Sequence, residues 1–237
     1  MIKLIAHRGA SLLCLENTKE AFELAGKSNK VYGIETDVWL TKDNVWVCTH
    51  DPNPFLNKKI YVNKSKYADI QNEVLSKDNT SYRLCTFNVF LDICKKYHKS
   101  PVIEIKPKNI STSAIKSLLE EVNKYQLLAQ SSFISFASKP LKLIKKIEPE
   151  ALCFNLINAR RYCFVQTIRN KILINHLIRK KCNISVHYSL ATIKNIAKAH
   201  KNALLIGAWT IDDKNLAQQL TSQQLNFITS NDIHLFD

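Results

Sequence analysis

Residues 102–136 read VIEIKPKNISTSAIKSLLEEVNKYQLLAQSSFISF, and this stretch decides the fold class of the chain. Val102–Lys106 is an apolar, β-branched run of the kind that forms a buried strand. Ser113–Tyr125 then repeats apolar residues at helical spacing, and Phe133–Phe136 returns to strand character. A strand, a helix and a second strand in this order predict a parallel βαβ unit.

The same alternation continues on both sides of this unit. Further strands are predicted at Leu4–His7, Tyr32–Leu40, Ala151–Ile157, Ile184–Tyr188, Leu204–Ile211 and Phe227–Thr229. Further helices are predicted at Thr18–Ser28, Phe87–Tyr97, Pro140–Ile147, Val165–Lys180, Ala191–His200 and Lys214–Leu220. Eight strands, seven of them followed by a helix, predict an α/β protein with a closed (β/α)8 TIM barrel, formed as a single domain by residues 1–237. An open doubly wound sheet is the alternative, but the chain has no GxGxxG fingerprint to support it.

The regular alternation is interrupted after the second strand. Val45–Thr49 forms a third extended piece that leads to His50-Asp51. Residues 53–82 are polar and rich in lysine, and we interpret them as a loop region with one short helix around Tyr67–Leu75. The sequence therefore predicts a short insertion in the barrel at this point.

Composition limits the classes of protein to consider. Lysine and arginine outnumber the acids by 34 to 20, a formal charge of +14 that favours anionic partners or reflects a solvated lysine surface. The seven cysteines show no CxxC pair, which indicates a reducing compartment rather than a disulfide framework. The sequence shows no signal peptide and no apolar run long enough for a bilayer, so we expect a cytoplasmic protein without stable membrane insertion.

Polar residues collect where the predicted strands end. Active sites of (β/α)8 barrels lie at the carboxyl ends of the strands, so residues from five different strands should meet at one mouth. These residues are His7, Glu35, Asp37, Glu104, Lys106, His187 and Trp209. The extension at Val45–Thr49 should bring His50 over the same mouth.

The chemistry of this set suggests a metal site. Glu35 and Asp37 are two residues apart in a strand, so both carboxylates point to one side. With Glu104 they form an all-oxygen, anionic site that suits Mg²⁺ or Ca²⁺ better than Zn²⁺. Two histidines beside it suit acid–base catalysis. The alternative is that Glu104–Lys106 and Glu35–Arg8 are ordinary buried ion pairs.

At this order and spacing, the motifs resemble those of the glycerophosphodiester phosphodiesterase family. The resemblance runs from Ile5 to about Asp232 and carries a (β/α)8 barrel with it. The matching motifs are His7-Arg8-Gly9-Ala10, Glu16-Asn17-Thr18, Glu35-Thr36-Asp37-Val38, His50-Asp51-Pro52, Glu104-Ile105-Lys106 and Trp209-Thr210-Ile211.

The resemblance implies a role for each of these residues. His7 and His50 are expected to be the catalytic acid and base, and Glu35, Asp37 and Glu104 are expected to hold one divalent cation, Mg²⁺ or Ca²⁺. Arg8 and Lys106 are expected to contact the phosphodiester, and Glu16 to support the first loop. Trp209 is expected to line the mouth, where His187 faces substrate or serves as a rim residue.

The implied reaction is hydrolysis of a small-molecule glycerophosphodiester to sn-glycerol 3-phosphate and an alcohol. Water and the glycerol 2-hydroxyl both stay open as the first nucleophile, and no particular oligomeric state is predicted. One alternative is a related barrel phospholipase of the phosphatidylinositol-type phospholipase C or sphingomyelinase-D-like kind. It needs an apolar docking rim or helix, and the sequence shows none apart from Phe55-Leu56 and Tyr61 as candidates for a small rim. A non-catalytic, basic nucleic-acid-binding protein is the alternative of another class, but the lysines are spread along the chain and no specific nucleic-acid partner is expected.

The chain departs from the family pattern at three places. Cys14-Leu15 stand where the family has Ala-Pro, Asn57-Lys58-Lys59 where it has Arg-Thr, and Ser230-Asn231 where it has Thr-Asp. We expect these departures to affect the rim of the pocket, and so the alcohol specificity, without touching the carboxylates or the two histidines.

Overall fold

A computed structural model gives the architecture of the chain for residues 2–55, 58–159 and 164–237, with the backbone alone described for 164–169. The first elements in chain order are β1 (Lys3–Ala6), α1 (Lys19–Lys27), β2 (Val31–Leu40), β3 (Trp46–Cys48), α2 (Tyr67–Ile70), β4 (Val74–Lys77), β5 (Thr80–Arg83) and β6 (Cys85–Thr86). They are followed by α3 (Phe87–Lys96), β7 (Ser100–Ile105), α4 (Thr112–Lys124), β8 (Ser132–Ser135), α5 (Ser138–Ile147) and β9 (Leu152–Ile157). The last are α6 (Phe164–Arg179), β10 (Asn183–His187), α7 (Ile193–Lys201), β11 (Ile206–Trp209), α8 (Lys214–Ser222) and β12 (Phe227–Ser230).

Eight of these strands close into a parallel barrel. The hydrogen-bonded order is β1, β12, β11, β10, β9, β8, β7 and β2, and a pairing between β1 and β2 closes the ring. The predicted (β/α)8 barrel is confirmed. The register between β2 and β7 pairs Glu35 with Val102 and Asp37 with Glu104, which sets the acids of neighbouring strands side by side.

Two layers of apolar side chains hold the barrel together. The larger cluster lies between the sheet and the surrounding helices and includes the fully buried Phe22, Phe90 and Ile115. A smaller cluster fills the barrel interior with Ile5, Val102, Ile134, Phe154 and Leu156. The interior cluster forms the floor beneath the strand ends, so the polar residues above it are confined to the mouth.

Several helices begin at residues whose side chains accept a hydrogen bond from the first turn. The Oγ atoms of Thr18 and Ser111 accept from the backbone N–H groups of Ala21 and Ala114, and Asp213 Oδ1 accepts from Leu216 N–H. Each bond satisfies one of the N–H groups that a helix start leaves without a partner. Thr18 therefore fixes the start of α1 directly after the first loop of the mouth.

The insertion after the second strand contains more regular structure than the sequence predicts. It spans residues 41–86 and contains β3–β6 and α2. The helix predicted for Tyr67–Leu75 ends at Ile70, and the residues from Val74 onward form a hairpin of β4 and β5. The insertion has its own apolar cluster, which includes Phe55, Val62 and Leu84.

This cluster includes one of the candidates for a small docking rim. Phe55 is only 3% exposed because it packs inside the insertion, while Tyr61 is 38% exposed. The third candidate, Leu56, lies outside the described residues. So does Asn57, which is part of one departure from the family pattern. Among the helices that the structure describes, none combines the length and the apolar character needed to cross a bilayer.

Candidate active site

The first loop of the mouth is a tight turn at His7-Arg8-Gly9. His7 follows β1 and donates its backbone N–H to the carbonyl of Ser230, at 2.7 Å. Arg8 has φ 56°, which directs its backbone N–H to Glu35 Oε2 at 2.8 Å. Gly9 has φ 82°, and a Cβ there would lie 2.7 Å from the carbonyl carbon of Ala21. The turn thus requires glycine for two reasons, its backbone angle and its close contact with α1.

Three carboxylates come together above the floor of the barrel. One oxygen each from Glu35, Asp37 and Glu104 lies within 4.8 Å of the others, and all three residues are buried. Glu35 and Glu104 line the cavity at the mouth. Asp37 lies behind them, with its side chain 0% exposed.

Two cationic side chains cover Asp37. Arg8 Nε lies 3.0 Å from Asp37 Oδ2, and Lys106 Nζ lies 2.9 Å from Asp37 Oδ1 and 2.9 Å from Glu104 Oε1. Arg8 Nε and Asp37 Oδ1 are close to their partners without the alignment of a hydrogen bond. The Glu104–Lys106 ion pair of the alternative interpretation is therefore present. The side chain of Arg8 instead pairs with Asp37 and, through both carboxylate oxygens at 2.9 and 2.8 Å, with Glu16.

The three acids differ in the direction of their pKa shifts. Burial, and then the neighbouring Asp37, raise the pKa of Glu104 to about 7. The same two causes raise the pKa of Glu35 well above its usual value. Burial alone would also raise the pKa of Asp37, but Lys106 and Arg8 outweigh burial and hold it below the usual value. Asp37 is therefore ionised at neutral pH. A cation bound beside Glu35 and Glu104 would lower their pKa values and so favour their ionised forms.

The two histidines lie on the same cavity. His7 Nδ1 is 2.8 Å from Asn231 Oδ1, and burial, followed by the charge of Arg8, lowers the His7 pKa. His50 follows β3, and its side chain is 38% exposed, with Nδ1 at 3.3 Å from Asp51 Oδ1. Burial, and then Lys106 and Arg8, lower the His50 pKa. Both imidazoles are therefore mainly neutral at neutral pH, and each can take up a proton.

The cavity has a charged side and an apolar side. Its volume is about 230 Å³, and the charged side carries the histidines, Arg8, Lys106 and the two glutamates. The apolar side includes Trp209 and Phe136, whose rings meet edge to face at 5.7 Å. His187 is not among the described residues that line the cavity. Its ring packs edge-on against Trp209 at 5.7 Å, and its Nδ1 lies 2.9 Å from Ser189 Oγ.

Sequence reasoning missed the role of Asn17 in this site. Asn17 Nδ2 donates to Asp37 Oδ2 at 2.9 Å, and its Oδ1 accepts from the Thr36 hydroxyl and from the Asp37 backbone N–H. Its backbone N–H also donates to the Arg8 carbonyl. The sequence shows only a short amide next to the helix cap, and Asn tolerates the positive φ of 58° found here. The contact with Asp37 itself depends on the tertiary fold.

Asn231 is the second residue that sequence reasoning misjudged. The change from Thr-Asp to Ser230-Asn231 was expected to stay clear of the histidines, and this expectation is wrong, since Asn231 contacts His7 directly. The last strand delivers Asn231 because β12 pairs with β1 in parallel, Ala6 opposite Ser230. Residues that follow these two strands are therefore neighbours.

Comparisons with known proteins find relatives that match nearly the whole chain. The sequence profile described as "Glycerophosphoryl diester phosphodiesterase family" matches residues 7–235. Bacillus subtilis (strain 168) YhdW, which is provisionally named a glycerophosphodiester phosphodiesterase, is 28% identical over 236 residues that cover 96% of this chain and 93% of YhdW.

Solved structures share the architecture. A Silicibacter pomeroyi protein, provisionally named a glycerophosphoryl diester phosphodiesterase, superposes with a TM-score of 0.83 at 19% identity, covering 99% of this chain and 91% of that one. An Oleispira antarctica phosphodiesterase, solved with its product sn-glycerol 3-phosphate, superposes with a TM-score of 0.76 at 23% identity, covering 97% and 92%.

A parallel (β/α)8 barrel whose mouth collects acids, cations and histidines defines the class of the protein as a barrel enzyme. The match over residues 7–235 then gives the family: the chain belongs to the glycerophosphoryl diester phosphodiesterase family. It is a phosphoric diester hydrolase.

Proposed function

We propose that the protein hydrolyses small glycerophosphodiesters to sn-glycerol 3-phosphate and an alcohol, with one divalent cation and a pair of histidines. The observation that carries this proposal is a cluster of three buried carboxylates, two of which line a cavity of about 230 Å³ together with two cationic side chains and two histidines. The product bound by the Oleispira antarctica phosphodiesterase is the one expected here.

The donor set fits a divalent cation. Glu35, Asp37 and Glu104 would hold Mg²⁺ or Ca²⁺, because all three offer oxygen and lie within 4.8 Å of one another. Asp37 Oδ1 is buried without an aligned hydrogen bond, and burial, followed by the negative charge of Asp37, raises the pKa values of Glu35 and Glu104. When bound, the cation supplies positive charge beside the phosphodiester oxygens.

The chain's own residues perform the remaining tasks. Arg8 and Lys106 line the cavity as fixed cations, where they bind the phosphodiester anion and stabilise the charge that develops on its oxygens. Trp209 and the apolar side exclude water from the part of the substrate that carries no charge. His7 and His50 lie on the charged side, where one accepts the proton of the attacking hydroxyl and the other donates a proton to the leaving alkoxide.

A substrate panel tests this function. Purified protein with Mg²⁺ or Ca²⁺ is offered glycerophosphocholine, glycerophosphoethanolamine and glycerophosphoglycerol, and in parallel diacyl phospholipid vesicles and single-stranded DNA. Glycerol 3-phosphate released from any of the first three, and absent with Glu35→Gln, supports the proposal. Turnover confined to the vesicles would assign the protein to the phospholipase alternative, and inertness towards all of them with tight, salt-resistant DNA binding would remove the enzyme proposal.

A further inference from the structure

His7 is held by a short chain of hydrogen bonds that starts outside the charged cluster. Asn231 Oδ1 lies 2.8 Å from His7 Nδ1 and also accepts from the Ser11 hydroxyl at 2.9 Å. On its other side, Asn231 Nδ2 donates to Asp212 Oδ2 at 2.7 Å, and the Asn231 backbone N–H donates to Asp212 Oδ1 at 2.8 Å. Ser230 Oγ donates to the same Oδ1 at 2.8 Å, so Asp212 is anchored as well.

This chain fixes the orientation of the Asn231 amide. A carboxylate only accepts hydrogen bonds, so the NH₂ group of Asn231 has to face Asp212, and the amide oxygen has to face His7. The opposite orientation would place the amide oxygen against a carboxylate oxygen at 2.7 Å. The assignment of oxygen and nitrogen therefore rests on the hydrogen-bond network itself.

The orientation of the amide decides the tautomer of His7. An amide oxygen can only accept, so His7 Nδ1 must carry a hydrogen in both the neutral and the protonated ring. In the neutral ring the lone pair is then on Nε2, the nitrogen that can exchange a proton with a substrate in the cavity that His7 lines. The partner of His7 thus determines which nitrogen takes part in proton transfer.

We propose that Asn231, oriented by Asp212, is a positioning residue that holds His7 in the Nδ1–H tautomer and so makes Nε2 its proton-transferring atom. This proposal rests on the proposed function only where it assigns His7 to proton transfer. Asn231 performs this task without a charge. The charged groups that act on His7 are Arg8 and Glu16 in the first loop and Asp37 on β2. Asp212 does not contact His7 directly, because the Asn231 amide lies between them.

The first test reads the tautomer without any activity. Nitrogen-15 spectra of histidine-labelled, metal-free protein, taken above the His7 pKa, assign the hydrogen of each ring. His7 is expected to show the Nδ1–H form in the wild-type protein and a mixture of both forms in Asp212→Asn, because a neutral partner no longer orients the amide. His7 in the Nε2–H form in the wild-type protein overturns the proposal, even if the chain proves inactive.

The second test uses the pH dependence of kcat/KM on a glycerophosphodiester. Asn231→Asp places a carboxylate on His7, so the limb of the profile that belongs to His7 should move to higher pH by about one unit or more. Asn231→Ala and Asp212→Asn should lower kcat by about tenfold or more, with KM little changed, as expected when a catalytic ring loses its tautomer.

Asp213→Asn is the matched control. It makes the same change one residue along the chain, at the N-cap of α8, where Asn caps as well as Asp. It should leave both the profile and the spectrum unchanged. An Asn231→Asp profile that coincides with that of the wild-type protein would contradict the proposal. If Asn231→Ala fails to fold, as judged by circular dichroism, the wild-type spectrum and the Asn231→Asp profile still decide the question.

Discussion

At the scale of single residues, the site depends on how Asp37 is surrounded. Arg8, Lys106 and Asn17 all approach its carboxylate within 3.0 Å, so the most deeply buried acid is the one with a lowered pKa. Glu35 and Glu104 receive less compensation, and their pKa values are raised. Removing the charge of one of these two acids should therefore cost little stability in the metal-free protein, although it removes a ligand from the proposed metal site.

Glu35→Gln and Glu104→Gln are each expected to abolish turnover of glycerophosphocholine while leaving the protein folded. The amide keeps the shape of the side chain but removes the negative charge that a divalent cation requires. The measurements are steady-state kinetics and thermal unfolding. Glu121→Gln, a half-buried acid on α4, is the control and should keep full activity. Substantial turnover by both site variants would contradict the ligand role of these residues.

His7→Ala and His50→Ala are expected to lower kcat by about 10²-fold or more, since each would remove one proton-transfer step of the proposed mechanism. The wild-type pH profile should be bell-shaped, because one imidazole has to be neutral while the other is protonated. His176→Ala, an exposed histidine on α6, is the control. A near wild-type rate for His50→Ala on a normal substrate would remove His50 from the mechanism.

The stability of the metal-free protein should depend on pH through Glu104. Its pKa rises from 4.5 to about 7 on folding, so the folded state binds more protons than the unfolded state between these values. The stabilisation by the protonated form is complete below pH 4.5 and is lost as the pH rises through about 7. The two histidines, whose pKa values are lowered, act in the opposite direction.

Comparing the wild-type protein with Glu104→Gln separates the effect of Glu104 on stability from that of the histidines, because both proteins contain the same histidines. In a chelating buffer, the Tm of the wild-type protein minus that of Glu104→Gln should fall between pH 5 and pH 8. A Tm difference that stays constant over this range would mean that Glu104 titrates normally in the folded protein.

At the scale of elements, hydrophobic periodicity predicted every strand of the barrel, because buried parallel strands are continuous apolar runs. The β4–β5 hairpin escaped prediction because each strand has only four residues and its inner face carries a single apolar cross-strand pair, Leu75 and Tyr82, which is too little alternation to mark a strand. The signal that could have revealed it is Asp78-Asn79, which forms a two-residue turn with φ 52° and 61°. Such a pair of positive φ values is the geometry of a type I′ hairpin turn.

Gly9 lies in the first turn of the mouth, in close contact with α1. Gly9→Ala should destabilise the protein by about 1–3 kcal/mol, because alanine is strained at φ 82° and its Cβ would overlap α1. The same displacement should move Arg8 and lower kcat, so denaturant unfolding and kinetics should change together. Ser28→Ala, at the other end of α1, should leave kcat unchanged. Gly9→Ala with wild-type stability and activity would show that the turn tolerates a side chain.

At the scale of the whole molecule, the sequence predicted the groups that the barrel brings together and the Glu104–Lys106 ion pair, but not the amide partners of Asp37 and His7. Glu35, Asp37 and Glu104 could be predicted to meet because the element order indicates a barrel, and active sites of such barrels lie at the carboxyl ends of the strands. The contacts of Asn17 with Asp37 and of Asn231 with His7 depend on register and loop conformation between distant parts of the chain. These are tertiary properties that no local pattern encodes.

The net charge of +14 acts on the molecule as a whole. It should attract nucleic acid without specificity, and such binding should weaken steeply with salt because it depends on the release of counterions. Binding of single-stranded DNA, measured by fluorescence anisotropy at 50 and 200 mM salt, should fall by at least about tenfold. Affinity that is independent of salt would instead indicate a specific nucleic-acid site.

Phosphorus-31 spectroscopy of glycerophosphocholine turnover, before and after exhaustive chelation, shows whether the protein is a cation-dependent phosphodiesterase. We predict that the wild-type protein releases glycerol 3-phosphate, that chelation abolishes the release, and that Mg²⁺ or Ca²⁺ restores it. Addition of either cation should leave Glu35→Gln inactive. Full turnover by the chelated protein would contradict the proposal that the three buried carboxylates act by holding a cation.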